Sequence, residues 1–321
     1  SSDLANLTAN TTSGTATINW WYEDTSAFPS WSTNKTYTIN VSAKDTAGNW
    51  NLSAASSTFT YDATVPAAPI ISTPADATWY NNTLSNISGT SSDDGGSKVQ
   101  YVNIMIYNST GGKYWSGSSW GDAPTNISAN ITGTGWNKNW YFSNTGTFPN
   151  FVNGTTYIIN ASSIDYAGNR GSNDSNTFYY DANGITSSVT QITPYWQTSS
   201  PLSVTYTAQD SGSGLKNATL YYRYSSDNSS FDDWVIWSGA NNPDTTPWDP
   251  VSWNFNFPNG SGYYEFYTIA IDNVSNTETK SVNDTICGYD AVDPTAVITD
   301  PQNGGFNKSG DDIDGNITGT A

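Results

Sequence analysis

Aspartate is the residue whose placement in this sequence comes closest to chemistry. Asp45, Asp165 and Asp272 each open a turn of related spelling: Asp-Thr-Ala-Gly-Asn, Asp-Tyr-Ala-Gly-Asn and Asp-Asn-Val-Ser-Asn. Asp62, Asp181 and Asp290 each stand between a tyrosine and an alanine. Carboxylates beside backbone carbonyls are hard oxygen ligands, so all six are candidate calcium ligands. The bland expectation is the stronger one: an aspartate heading a turn accepts hydrogen bonds from the turn's own amides and sets its geometry. Asp93-Asp94-Gly95-Gly96 and Asp311-Asp312-Ile313-Asp314-Gly315 also suggest calcium, yet neither has the full spacing of a calcium-binding loop. No other cofactor is expected.

Asparagine offers the second chemistry, as acceptor of N-linked glycans. Sequons occur at Asn6, Asn10, Asn34, Asn40, Asn51, Asn81, Asn86, Asn108, Asn126, Asn130, Asn153, Asn160, Asn173, Asn217, Asn228, Asn259, Asn273, Asn283, Asn307 and Asn316. That is 20 of 37 asparagines, whereas 86 Ser and Thr in 321 residues would give about 10 by composition alone. Many are expected to carry sugar, which requires export and an N-glycosylating host.

Other chemistries are excluded by what the chain lacks. It has no His and one Cys, which removes imidazole catalysis, His-ligated metals, disulfide frameworks and zinc ribbons. With 10 Lys+Arg against 28 Asp+Glu, a net charge of -18, no nucleic-acid-binding surface is expected. Glutamate occurs only at Glu23, Glu265 and Glu278, in no recurring pair of the kind a glycosidase needs. No catalytic residue is expected. Charged residues make up 12% of the chain, about half the usual share, but 46 aromatics speak for folded cores. No apolar run approaches the roughly 20 residues of a membrane span, and residues 1–10 do not resemble a signal peptide. A signal or anchor would therefore lie outside these residues.

Repetition organises everything else. Ala5 to Asn10 aligns with Thr125 to Asn130 at an offset of 120, and the register holds through Trp20/Trp140, Phe28/Phe148, Tyr37/Tyr157 and Asp45/Asp165. A more distant copy has Tyr264 and Asp272 at the same separation of 8. The tripeptide Tyr-Asp-Ala closes each copy, at intervals of 119 (181 − 62) and 109 (290 − 181) residues. Val292 to Pro301 then matches Val65 to Pro74. The predicted organisation is a C-terminal part of a module over 1–62, a complete module over 63–181, a shorter divergent module over 182–290 and the N-terminal part of another over 291–321.

Within modules the apolar residues alternate, as Tyr37, Ile39 and Val41 do, which is the mark of strands with one wet face. Further strands are predicted at 16–22, 98–107, 202–208, 218–224 and 265–272, and no helix. Several short strands per roughly 110 residues, separated by Gly, Asn and Asp turns, predict tandem β-sandwiches.

The segment Asn34-Lys35-Thr36-Tyr37, its alternating strand and the turn from Asp45 to Asn49 resemble the penultimate strand and hairpin of prokaryotic immunoglobulin-like or fibronectin type III-like modules, and many sequons with a single Cys suit an archaeal cell surface. The resemblance implies an all-β fold of immunoglobulin-like sandwiches arranged end to end. It also implies that a tyrosine at the start of this strand ties down the preceding corner; Tyr37, Tyr157 and Tyr264 stand there. Prolines in the linker after Asp62 predict a stiff passage between modules, hence a rod.

Alternation places Trp20 and Trp140 inward and leaves Trp21 and Tyr141 outward, where they could meet a sugar or a neighbour. The tryptophan-rich stretch of Trp234, Trp237, Trp248 and Trp253, with Pro243, Pro247 and Pro250, reads as a long loop whose Trp237 and Trp248 could serve as contacts. Cys287 reads as a small buried core residue. The half-modules at the two ends are completed either by neighbouring modules of a longer chain, the favoured expectation, or by a second subunit. The expected function is a glycosylated, extracellular structural rod that forms or decorates a cell-surface filament, sheath or S-layer. The alternative is an adhesin or carbohydrate-binding module.

Overall fold

The structure is a computed structural model that describes residues 7–12, 18–23, 29–81, 83–143, 148–246, 252–300 and 317–321. Every regular element among them is a strand. The chain divides into two compact units, one holding Ser1–Thr78, Ser85–Asn150 and Tyr157–Phe178, the other Trp79–Leu84, Phe151–Thr156 and Tyr179–Ala321.

In the first unit, Val99–Asn108 is the central strand of a sheet, pairing antiparallel with Thr155–Asp165 on one side and with Lys113–Trp115 and Ile127–Ser128 on the other. A four-stranded sheet runs in the order Asn130–Thr132, Asn137–Ser143, Asn86–Ser92, Ile70–Thr73. Alternation assigns the faces: Val102, Ile104 and Ile106 from one sheet are buried with Tyr157, Ile159 and Phe178, and with Ile87, Trp140 and Phe142 from the other. Trp140 lies directly opposite Gly89 in the ladder. A Cβ on Gly89 would come within 1.8 Å of the Ile70 carbonyl oxygen and 2.6 Å of the Trp140 ring. The indole therefore fits only because the facing residue has no side chain, and its Nε1–H donates to the Thr90 carbonyl at 3.1 Å.

The segment 1–62 repeats half of this plan. Lys35–Val41 pairs with Ala55–Tyr61 as Thr155–Asp165 pairs with Asp174–Tyr180, and Asn10–Thr11 pairs with Trp20–Trp21. Its inward positions are not covered. Trp20 is 51% exposed where Trp140 is 1%, and Ile39 is 46% exposed where Ile159 is 0%. Alternation read the face of Trp20 from its copy, but the described residues supply no second sheet to bury it. The corner tyrosine is nevertheless in place, with the Tyr37 hydroxyl accepting the Ser32 amide at 2.8 Å. Near the other end, Val297–Asp300 pairs with Thr318–Thr320; Gly319 falls at the repeat position of Gly89, and Ile317 at that of Ile87.

The second unit has a five-stranded sheet in the order Trp196–Gln197, Thr285–Tyr289, Gly262–Asp272, Leu215–Ser225, Val235–Ile236. Over it lie two antiparallel pairs, Thr186–Val189 with Tyr206–Gln209 and Leu202–Val204 with Trp253–Phe255. The single strand expected over 202–208 is thus broken, because Val204 pairs with Trp253 while Tyr206 turns to Val189. Here the core is solved differently: Trp253 stacks on Tyr206 with centroids 4.9 Å apart, and Phe255 packs edge-on against Tyr264 and Phe266. Tyr264 is fully buried; its hydroxyl donates to the Gly260 carbonyl at 2.8 Å and accepts the Asn259 amide at 3.0 Å. Cys287 is buried in this core, and burial pushes its thiol up to about 12.

Three outcomes follow from this packing. Gly89→Ala forces backbone or indole to move and is expected to destabilise by about 3 kcal/mol in denaturant titration. Tyr264→Phe removes both corner hydrogen bonds and is expected to lower stability by about 1–2 kcal/mol. A thiol reagent at pH 8 should leave Cys287 unlabelled in the native chain and label it fully in denaturant; rapid native labelling would contradict its burial.

Candidate metal centres

Each turn aspartate is held by its own turn, as expected. In Asp45, Asp165 and Asp272 the carboxylate accepts the amide and the side-chain Nδ2–H of the asparagine four residues on, at 2.7–2.9 Å. The three differ in burial. Asp45 is exposed, whereas Asp165 and Asp272 have no accessible surface. Strand alternation places the buried pair: Asp165 continues the inward series Tyr157, Ile159, Ala161 and Ser163, and Asp272 the series Tyr264, Phe266, Thr268 and Ala270.

Burial brings each turn aspartate to two more carboxylates. Asp62, Asp93 and Asp165 offer oxygens all within 4.8 Å of one another, and so do Asp181, Asp210 and Asp272. The two clusters share a plan. The closing aspartate accepts an amide from the loop after the second aspartate: Ser97 to Asp62 Oδ2 at 2.6 Å, and Ser213 to Asp181 Oδ2 at 2.7 Å. The second aspartate takes an amide from its own loop, with Lys98 on Asp93 Oδ2 at 2.7 Å and Gly214 on Asp210 Oδ2. The turn asparagine bridges back, as Asn169 Nδ2 donates to the carbonyls of Asp62 and Thr64 at 3.1 Å and Asn276 Nδ2 to that of Asp181 at 3.1 Å.

One oxygen in each cluster has no donor: Asp93 Oδ1 and Asp210 Oδ1 are both buried without a partner. Electrostatics mark Asp93 and Asp272. Burial, reinforced by the charges of Asp62 and Asp165, holds the Asp93 carboxyl above its usual range, against the Lys98 amide. Asp272 is likewise raised, chiefly by burial, with Asp181 adding to it. At Asp62 burial also acts upward, but the Thr64 and Ser97 amides outweigh it and hold the carboxyl low.

None of the ion pairs among the described residues involves these six carboxylates. Elsewhere the chain does supply its own cation for buried acids. Lys280 Nζ lies 2.7 Å from Asp284 and 3.7 Å from Glu278, with all three side chains nearly buried. Three converging carboxylates with no ammonium or guanidinium can hold a hard divalent cation.

The sequence pointed to Asp62, Asp165, Asp181 and Asp272, and the fold gathers them in pairs across repeats. Asp45 and Asp290 join neither cluster among the described residues. Asp93 stood out only as part of an acidic tetrapeptide, and Asp210 did not stand out. Their spacing of 117 (210 − 93), close to the 119 between the closing aspartates, was the available signal. Asp311, Asp312 and Asp314 lie outside the described residues.

The aromatic candidates divide. Trp21 and Tyr141 are exposed, as alternation placed them. Trp237 is not a surface contact: it is 7% exposed, packed on Phe255, and covers Gly239, where a Cβ would meet the indole at 1.9 Å. Its stretch is not one long loop either, because Val235–Ile236 and Trp253–Phe255 both enter ladders. The prolines suggested irregular chain, but the indoles were needed to fill the core. Trp248 lies outside the described residues.

A family model described as "Bacterial Ig-like domain (group 3)" matches residues 8–67. No curated protein matches the chain. Among solved structures, the fibronectin(III)-like modules of CbhA from Clostridium thermocellum are 14% identical over 71% of this chain and 97% of theirs, with a TM-score of 0.33. Domains A168–A170 of titin are 14% identical over 78% and 75%, with a TM-score of 0.35. A 1.5-MDa bacterial ice-binding adhesin is 13% identical over 80% and 73%, with a TM-score of 0.33.

The shared plan of the two clusters makes the turn asparagine a structural bridge where it is half-buried and dispensable where it is exposed. Asn276→Ala is expected to lower the unfolding free energy by about 2 kcal/mol, while Asn49→Ala in the exposed turn leaves it unchanged. Equal effects at the two positions, read by denaturant titration, would contradict this.

Proposed function

We propose that the chain is part of a non-enzymatic structural glycoprotein of the cell exterior, whose immunoglobulin-like modules form or decorate a surface filament, sheath or S-layer. The observation that carries the reading is the sequons. Asn10, Asn34, Asn40, Asn86, Asn126, Asn130, Asn173, Asn228 and Asn259 stand exposed on strands and turns, where an N-linked glycan meets water. Repetition of the corner tyrosine and the carboxylate cluster supports the same reading, since the chain multiplies a scaffold. No helix of the described residues is long and apolar enough to cross a membrane.

The half-modules suit self-association or neighbouring modules of a longer chain. Exposed Trp20 and Ile39 occupy core positions of the repeat, and the Gly319 position is that of the residue facing Trp140. A specific observation favours a second reading, an adhesin or carbohydrate binder: Trp21 and Tyr141 present rings at 42% and 39% exposure on equivalent strands.

Some sequons are poorly placed for sugar. Asn81 Nδ2 donates to the Val274 carbonyl at 2.7 Å and Asn273 Nδ2 to that of Ser213 at 2.8 Å, and a glycan on either nitrogen would displace the bond. In an N-glycosylating archaeal host, intact mass should exceed that of the bare chain and fall on deglycosylation. Glycopeptide mapping should find sugar on the exposed asparagines and none on Asn81 or Asn273. A bare mass would sink the glycoprotein reading. Loss of glycan-array or cell attachment in Trp21→Ala and Tyr141→Ala would move the assignment to an adhesin.

A further inference from the structure

Asp93 is 1% exposed, one of its oxygens satisfied by an amide and the other by nothing. A buried carboxylate oxygen without a donor is rare in folded proteins, and it faces two more carboxylates within 4.8 Å. The same orphan recurs at Asp210, in a cluster built from the same repeat positions and braced by the same kinds of amide. Ser213, whose amide holds Asp181, also has a buried hydroxyl without a partner. Two appearances at equivalent places make a chance convergence of like charges a poor explanation.

The chain answers its other buried acids itself, Glu278 and Asp284 with Lys280 and Asp244 with the hydroxyl of Tyr206 and the amide and hydroxyl of Thr246. At the clusters it brings no cation of its own, and the oxygens left over point to one from solvent. The donor set decides which: all ligands are oxygen, and no thiol or imidazole is present to favour a softer metal. Calcium accepts six to eight oxygens in irregular arrangements and uses backbone carbonyls and water to complete its shell. Magnesium requires a near-ideal octahedron and keeps most of its water.

We infer that Asp62, Asp93 and Asp165 form one calcium site and Asp181, Asp210 and Asp272 a second, with Asp93 Oδ1 and Asp210 Oδ1 as ligands. Each site joins the aspartate that closes one repeat to two carboxylates of the next. The ligands are therefore remote in sequence, Asp62 from Asp165 by 103 residues (165 − 62) and Asp181 from Asp272 by 91 (272 − 181). Calcium that binds only this arrangement adds its binding free energy to folding.

The test uses the whole chain, stripped with chelator and then titrated with calcium chloride, with magnesium chloride as the control. Calcium should raise the melting temperature by about 5 °C or more at saturation, and calorimetry should report stoichiometric binding. Asp93→Asn and Asp210→Asn should each remove one equivalent. In chelator, each should melt above the wild type, because the amide acceptor is kept while a repelling charge is removed. Asp45→Asn, in the exposed turn, should change neither reading. A wild type that shows no heat and no shift at about 10 mM calcium overturns the assignment. So does an unchanged stoichiometry in both variants, or an equal response to magnesium. Should the variants fail to fold, terbium luminescence sensitised by tryptophan in the wild type and displaced by calcium decides alone: no sensitised signal overturns the sites.

Discussion

Asp165 and Asp272 end core strands without access to water, and the local architecture answers the need to satisfy a negative charge there. Strand alternation sets each carboxylate inward, the asparagine four residues on supplies two donors, and that same asparagine reaches the backbone of the preceding repeat's closing segment. One buried carboxylate thus ties together a strand end, a turn sequence and the course of the chain where one repeat passes into the next. The exposed turn at Asp45 keeps the local half of this arrangement and lacks the rest.

Much of the fold was legible in the sequence because strands with one dry face announce themselves. Val99–Asn108, Leu215–Ser225 and Gly262–Asp272 lie where alternation predicted strands, and Tyr264 ties its corner as the resemblance implied. Alternation reports a face but not what covers it, so Trp20 read as core from its likeness to Trp140. It also says nothing of a strand that changes partners, which is why 202–208 was read as one piece. The tryptophan-rich stretch misled for a third reason: its prolines suggested loop, while the large rings that had to be buried recruited it into ladders.

The candidate site was half legible. Four of its six aspartates lie in spelled motifs, a closing tripeptide and a turn. The other two lie in loops whose sequences, Asp-Asp-Gly-Gly and Asp-Ser-Gly-Ser, share only Asp-x-Gly, too short a spelling to stand out in a chain with 27 glycines. What the loops have in common besides is a position after a core strand and an amide within the next five residues, and such likeness belongs to the backbone. Spacing along the chain also hid the grouping, since partners 91 and 103 residues apart meet only through the sheet.

Trp140 and Gly89 are complementary shapes contributed by opposite halves of a module, 51 positions apart (140 − 89). Trp20 and Gly319 preserve the same two letters in the partial copies. The front of the repeat thus carries a gap and the back carries the ring that fills it, whereas the second unit's core stacks Trp253 on Tyr206 instead.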